Sequence, residues 1–176
     1  PHLLRLCQQY GADRILDIGC GNGWFARDLS DGGFRTVVGL EPSESGIRHA
    51  RQLAPEAEFH RFSVYDADSI ETGRFDIAIS AEVIEHLYHP RALVDLAWRT
   101  LRDGGIFIVT TPYHGWLKNV LIAAAGKWDH HHQPWGEGSH IKFWSRPSLT
   151  AFLEARGFIV VEFVGVGRVR WLWKSM

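Results

Sequence analysis

Three glycines at alternate positions, Gly19-x-Gly21-x-Gly23, follow the apolar run Ile15-Leu16-Asp17-Ile18 and precede a helix-like stretch that begins near Trp24. Glycine lets a backbone turn sharply and lets a ligand approach where a Cβ would stand. A helix start behind such a turn offers unpaired N–H groups to polar or anionic atoms. Further on, Glu41 closes a second apolar run, Thr36-Val37-Val38-Gly39-Leu40, and is placed to accept hydrogen bonds from two vicinal hydroxyls such as a ribose carries. Strand, glycine turn, helix, strand and acid are, in that order, the parts of a nucleoside-binding half of a doubly wound sheet. The dinucleotide fingerprint asks for G-x-G-x-x-G; Trp24 stands where its third glycine would be, which counts against NAD. A tight strand-to-helix turn with no ligand is the plainer reading of the same glycines.

A second group is Glu82, Glu85 and His86, spaced i, i+3 and i+4. On a helix these three share one face. Two carboxylates and an imidazole suit a borderline divalent ion. Without an ion, an imidazole that titrates near neutral pH is a general base. Helix capping and packing use the same letters. The run His130-His131-His132 sits beside Trp128 and Asp129. Three consecutive loop residues do not easily all face one ion, so a solvated loop and a substrate-covering lid are the two readings. Tyr113 and His114 either touch substrate or pack. The stretch Gly115 to Ile122 is apolar with a lone Lys118, and fits a lid, a membrane-surface contact or plain core.

The elements that must hold these residues follow from periodicity and punctuation. Pro1 to Tyr10 reads as a helix with Leu3, Leu6 and Cys7 on one face, ended by Gly11. Arg14 to Ile18 is strand one; Trp24 to Leu29 is helical, stopped by Gly32-Gly33; Arg35 to Leu40 is strand two. Ser43 caps a helix carrying Ile47, Ala50 and Ala54, closed by Pro55. Glu58 to Val64 is strand three. Gly73 to Asp76 turns into strand four, Ile77 to Ser80, and Glu82 to Leu87 is helical sequence. Pro90 opens a helix with Leu93, Leu96, Ala97 and Leu101 on one side; Arg102 to Gly105 turns into strand five, Ile106 to Thr110. Gly115 to Ala125 is an apolar helix, Gly126 to His140 a long loop, and Arg146 to Arg156 a helix with Ser145 near its cap and Gly157 past its end. Phe158 to Val164 and Val169 to Trp173 read as two last strands joined at Gly165 and Gly167, so one of them should run antiparallel. Across the stretch Arg168 to Lys174, which contains the second of them, basic and apolar residues alternate as on a solvent-facing edge. The β-α alternation implies an α/β, doubly wound, mostly parallel sheet covered on both faces.

With 176 residues the chain is expected to be one domain, 1–176, with a lid insertion at 113–140. Nineteen basic against twenty acidic side chains give a net charge of −1, which advertises no broad basic face for nucleic acid. Two cysteines, Cys7 and Cys20, are too few for a disulfide framework and suit a reducing compartment, so a cytoplasmic location is expected. No apolar run approaches the ~20 residues of a membrane span, although peripheral membrane contact stays open. The oligomeric state is not legible.

The stretch Leu16-Asp17-Ile18-Gly19-Cys20-Gly21-Asn22-Gly23 resembles motif I of the class I S-adenosylmethionine-dependent methyltransferases, LDIGCGxG. Phe75-Asp76 with Glu82-Val83-Ile84-Glu85-His86, and Leu101-Arg102 with Gly104-Gly105 and Thr110-Thr111-Pro112, are similar to later motifs of the family (type 11/23-like), so the resemblance covers about residues 12–165. It implies a Rossmann-like, seven-stranded sheet whose last strand is antiparallel. It implies S-adenosylmethionine as cofactor, bound by Asp17, Gly19, Cys20, Gly21, Gly23, Glu41, Pro42 and Ser80. An acid after strand three, Asp66 before Asp68, would meet the adenine amino group, although Asp also caps helices there.

Glu82-x-x-Glu85-His86 is similar to the metal-binding motif of ubiquinone-biosynthesis O-methyltransferases. It is also similar to that of RNA 3′-terminal 2′-O-methyltransferases, which add a later His-Lys-Phe-x-Trp histidine. Here His140-Ile141-Lys142-Phe143-Trp144 carries one residue more between His and Lys. The resemblance thus implies Glu82, Glu85, His86 and His140 as a divalent metal set, or Glu82, His86 and His140 as metal-free catalytic groups. The acceptor it implies is oxygen on a small molecule. The alternatives are an RNA 2′-O-methyltransferase, against which the charge weighs, and a nucleoside-binding module without turnover.

Overall fold

The computed structural model describes residues 2–69, 75–133, 135–169 and 173–175. The chain falls into two compact units: Pro1–Ala81 with Arg91–Ile108, and Glu82–Pro90 with Val109–Met176.

The first unit is built as strand-helix repeats. Helix α1 (His2–Gln9) leads into β1 (Arg14–Ile18), α2 (Trp24–Asp31), β2 (Thr36–Glu41), α3 (Glu44–Leu53) and β3 (Glu58–Arg61). After a 3₁₀ turn at Val64–Ser69 come β4 (Phe75–Ala81), α4 (Pro90–Thr100) and β5 (Leu101–Thr110), which passes into the second unit beyond Ile108. The strands are all parallel, in the order β3-β2-β1-β4-β5. Strands covered on both faces need near-continuous apolar sequence, and Ile15, Leu16, Ile18, Ile77 and Ile79 are buried almost completely. Helices cover them with the faces their periodicity dictates: Cys7 from α1, Ala26 and Leu29 from α2, Ile47 and Ala50 from α3. Ser43 caps α3, its hydroxyl accepting from the Gly46 N–H at 3.2 Å.

Asp76 pins the lower edge of this sheet. One carboxylate oxygen accepts from the backbone N–H groups of Asp13 and Arg14, both at 2.9 Å; the other accepts from Arg102 Nε at 2.6 Å. The Arg102 guanidinium, then the Arg14 N–H, hold the carboxyl below the usual aspartate range. A depressed acid stabilises the fold above its unfolded pKa of ~3.9, and that stability is lost as pH falls through the lower, folded value. Asp76→Ala should therefore cost about 1–3 kcal/mol at pH 7, toward the low end because Arg102 is half exposed. Urea melts should show the gap narrowing at strongly acidic pH; a pH-independent gap would remove the ionised carboxylate as its source.

The second unit contains a 3₁₀ turn at Ile84–His86, α5 (Trp116–Ala124), α6 (Trp128–His132), α7 (Arg146–Glu154) and the hairpin β6 (Val166–Val169) and β7 (Trp173–Ser175). Ser145 and Ser148 form a capping box at the start of α7.

Several expectations are corrected. Among the described residues the main sheet has five parallel strands rather than seven with an antiparallel last one; β6 and β7 pair antiparallel in a sheet of their own. Phe158 to Val164 forms no strand, and its branched residues Ile159 and Val161 face solvent. The other expected last strand, Val169 to Trp173, is only partly described, since residues 170–172 lie outside the described residues. So do residues 73 and 74 of the expected turn. Strand three stops at Arg61, and β5 starts at Leu101, running through the expected Arg102–Gly105 turn.

Glu82 to Leu87 is not a helix. Glu82 takes a left-handed backbone with φ 56°, and its N–H donates to the Thr110 carbonyl at 3.1 Å. The Glu85 carbonyl, which a helix would spend four residues on, accepts instead from the Ile141 and Lys142 N–H groups at 2.9 and 3.0 Å. Long-range backbone pairing outcompetes a short helix here, and Pro90 disfavours helical backbone at His89.

Candidate functional site

Within the first unit the parallel register gathers one set of residues along the carboxyl edge of the sheet. In the order β3, β2, β1, β4, these are Asp66 just after its strand, Glu41, Asp17 with the glycine turn, and Ser80. Ligands of open α/β sheets bind at this edge. Gly19, Gly21 and Gly23 all have positive φ (82°, 55° and 85°), a backbone that L side chains rarely adopt. Gly23 must also stay small, because a Cβ would stand 2.8 Å from Ala50 Cα. At Gly21 a Cβ would meet nothing within 4 Å, so the turn is open at that point.

Glu41 is held by the turn it faces. One oxygen accepts from the Gly21 N–H at 3.1 Å and the other from the Ser43 N–H at 2.9 Å. The carboxylate keeps lone pairs for hydroxyls, in a fixed orientation. Gly46 passes close beneath: a Cβ there would lie 3.0 Å from Glu41 Cγ and from the Gly21 carbonyl. Gly46 belongs to none of the sequence motifs; its role comes from this close approach.

Asp17 is 2% exposed, with Oδ2 buried and unbonded, and the buried Ser80 hydroxyl is likewise without a partner among the described residues. Burial, and then the Glu41 carboxylate, push the Asp17 carboxyl up to about 7. Cys20 is buried and its thiol is held far above the usual range, first by burial, so it is inert rather than nucleophilic. Pro42 and Asp66 are exposed; the Pro42 carbonyl accepts from Arg61 Nε at 3.3 Å.

In the second unit Glu85, His86 and His140 come together, with one ligand atom from each lying within 4.8 Å of the others. Glu85 is 1% exposed and, among the described residues, neither carboxylate oxygen makes a well-formed hydrogen bond, although the nearby Thr111 hydroxyl favours its ionised form. The Nε2 atoms of His86 and His140 each lie 3.9 Å from Glu85 Oε1, and the two rings meet edge to face at 4.8 Å between centroids. The backbone bonds from Ile141 and Lys142 to the Glu85 carbonyl deliver His140 to this point. Burial, then Glu82, raises the Glu85 carboxyl. Burial, then His86 and Lys118, lowers the His140 imidazole.

Glu82 is not part of the group. Without the helix it shares no face with Glu85, and its carboxylate accepts from the Thr110 hydroxyl at 2.8 Å. A buried carboxylate without well-formed hydrogen bonds, flanked by two imidazoles, fits a divalent cation of borderline hardness.

A second trio, His114, His131 and His132, also places its ligand atoms within 4.8 Å of one another. His130 is left out of it, in keeping with the expectation that three consecutive histidines do not all face one ion, and His114 joins from a distant segment. In α5 most of the large apolar residues face outward: Trp116, Leu117, Val120 and Leu121 are exposed, while Ile122 and Lys118 are buried. Plain core does not describe that helix. The Lys118 ammonium donates to the Tyr113 carbonyl at 2.9 Å.

Residues 3–162 match the family described as methyltransferase domain. The chain belongs to the class I S-adenosylmethionine-dependent methyltransferases. This methyltransferase domain is 30% identical over 175 residues to the ubiquinone biosynthesis O-methyltransferase of Methylobacterium nodulans, covering 92% of the chain and 70% of that protein. A solved S-adenosylmethionine-dependent methyltransferase from Mesorhizobium loti shares 28% identity and a TM-score of 0.54 over 64% of the chain and 52% of that structure. The fold is also that of magnesium protoporphyrin IX methyltransferase from Synechocystis, with a TM-score of 0.72 at 16% identity over 99% of the chain and 78% of that structure. Against several of the curated relatives the methyltransferase domain spans about three fifths of their length: 58%, 62% and 61% in three of the first four. No described helix is long and apolar enough to cross a membrane.

Proposed function

We propose that the chain transfers a methyl group from S-adenosylmethionine to an oxygen of a small-molecule acceptor. The observation that carries the first half is the set Asp17, Gly19, Gly21, Gly23 and Glu41 on one carboxyl edge, with polar atoms of Asp17 and Ser80 buried and unspent. The cofactor supplies a methyl group on a sulfonium, so the protein has to align a nucleophile and remove its proton. Glu41 accepts from the two ribose hydroxyls, fixed by the Gly21 and Ser43 N–H groups. Asp17, Ser80 and the backbone of the glycine turn, Cys20 included, orient the amino-acid end; Pro42 and Asp66, on the β2–β3 side, line the adenine side.

The Glu85, His86 and His140 group is the proposed acceptor machinery. An imidazole takes the hydroxyl proton as the oxygen attacks, and Glu85 holds the imidazolium so formed. Glu85, His86 and His140 would be the ligands of a divalent ion, which would supply acidification of the acceptor hydroxyl. Glu82 orients the end of β5 through Thr110 rather than ligating. The names of relatives such as the Methylobacterium protein support oxygen as the target, and a net charge of −1 gives no support to an RNA acceptor. The exposed apolar residues of α5 support an apolar acceptor, or contact with a membrane surface.

Calorimetry with S-adenosylmethionine tests the cofactor half. Glu41→Ala should weaken binding by about 1–3 kcal/mol, roughly 5- to 150-fold, because charged hydrogen bonds to both hydroxyls are lost. Unchanged affinity would remove Glu41 from the site. Assaying S-adenosylhomocysteine release across hydroxylated acceptors tests the other half, and tight binding with no turnover on any of them would favour a nucleoside-binding module. Residues 113–140 are proposed to act as a lid. Their amide hydrogens should exchange faster than those of β1 in the free protein and slow when acceptor binds. Exchange as slow as β1 without acceptor would sink the lid.

A further inference from the structure

We infer that His114, His131 and His132 form a second metal site, an all-imidazole one that takes a late divalent transition ion, zinc foremost. The three rings are brought together by the fold rather than by sequence. His114 is 7% exposed, and its backbone N–H donates to the Trp144 carbonyl at 2.7 Å, beside the parallel bridge between Tyr113 and Trp144. His131 and His132 are adjacent on α6, so their side chains leave the helix about 100° apart. The His114 ring faces both, with centroids 5.8 Å from His131 and 5.6 Å from His132. His131 and His132 meet edge to face at 5.0 Å. Helix α6 stops there because Gln133 turns left-handed, φ 45°, and its carbonyl is taken by the Gly136 N–H and the Ser139 hydroxyl.

Two further features point to a ligand. Both ring nitrogens of His132 are buried with no hydrogen-bond partner among the described residues, although the ring is packed against Trp128 and Phe143 at 4.3 and 4.7 Å. A ring serving only to pack would leave both nitrogens desolvated for nothing. His114 Nδ1 stands 3.4 Å from Asn119 Oδ1, so a proton on Nδ1 leaves the Nε2 lone pair outward. Metal-bound histidines characteristically hand their other N–H to such an acceptor.

The nitrogens lie within 4.8 Å of one another. Tetrahedral ligation at ~2.0–2.1 Å needs them roughly 3.4 Å apart, so side-chain rotation of an ångström or so closes the site. Three imidazoles without a carboxylate select zinc, copper, nickel or cobalt over magnesium or calcium, and leave a fourth position for water or a ligand donor. In that respect the site is the opposite of Glu85, His86 and His140, whose carboxylate suits harder ions. Lys118 opposes the ion as a like charge, and its removal should tighten binding.

The test is zinc titration of chelator-stripped protein by calorimetry, with cobalt(II) absorbance reporting imidazole ligation. Wild type should hold a zinc equivalent that persists in Glu85→Gln and in His130→Ala. His132→Gln and His131→Ala should each weaken it at least tenfold and abolish the zinc-induced rise in Tm, while Lys118→Gln should strengthen it. The partly exposed His131 serves if His132→Gln does not fold, as judged by circular dichroism. If zinc does not bind, if binding is lost in Glu85→Gln but kept in His131→Ala, or if His130→Ala matches His131→Ala, the built site is overturned. The last outcome would mark a histidine run binding zinc from its surface.

Discussion

Glu85→Gln should lower methyl transfer to a hydroxyl acceptor by about 10²–10⁴-fold, because the imidazole base it holds loses the carboxylate that stabilises its protonated form, and leave S-adenosylmethionine affinity within a few-fold. The substitution keeps the shape of the side chain and removes its charge. That charge sits 1% exposed between two imidazole Nε2 atoms, each 3.9 Å away. A buried carboxylate without well-formed hydrogen bonds is costly to keep, so losing it should leave stability unchanged or improve it. A drop in rate with no drop in Tm would therefore separate a chemical role from a structural one. The two versions of the mechanism then divide on chelator. If Glu85, His86 and His140 hold an ion, wild-type activity falls in chelator and returns with added magnesium, manganese or zinc. If they act alone, chelator changes nothing, and His86→Ala or His140→Ala reproduces the loss. A folded Glu85→Gln protein with wild-type kcat/KM would return these residues to packing.

What the sequence made legible was whatever is encoded locally. Positive φ at Gly19, Gly21 and Gly23 is a requirement on single residues, so the letters announce it. The caps at Ser43 and Ser145 are likewise written within four residues of the helices they start. Buried parallel strands announce themselves as apolar runs, and a strand-helix alternation leaves little choice of sheet.

The failures share the opposite cause. Glu82 to Leu87 has helical spacing, but the carbonyl of Glu85 is claimed by Ile141 and Lys142, residues more than fifty positions away. The same pairing carries His140 to Glu85, as the resemblance implied, but it also removes the helix and separates Glu82 from the group. The alternation in Phe158 to Val164 predicts a strand, yet nothing in those letters says whether a partner strand will be present. His114 and His132 meet only because the intervening α5 and α6 reverse the chain, which no spacing rule along the sequence expresses.

Asp17 should make the fold less stable as pH rises from about 4 to about 7, a direction opposite to that of Asp76. Its carboxyl is buried, and burial first and Glu41 second raise it to about 7, against ~3.9 in the unfolded chain. Between those values the folded protein holds a proton that the unfolded chain has released, so each unit of pH favours unfolding. Three units at 1.36 kcal/mol each set an upper bound of about 4 kcal/mol, or roughly 10 °C in Tm for a chain of this size. Asp17→Asn removes the charge, so its Tm should hold up where wild type declines. The cofactor should reverse the effect: its amino group and sulfonium are cationic, and they favour the ionised Asp17. Binding should then release a proton near pH 7, weaken up to tenfold per unit of pH below that, and lose this dependence in Asp17→Asn. The measurement is a pair of thermal melts across pH 4–8, without and with S-adenosylmethionine. Wild type and Asp17→Asn running parallel without ligand would mean that the carboxyl titrates in its ordinary range and carries no strain. Parallel curves with ligand as well would take Asp17 out of the cofactor site.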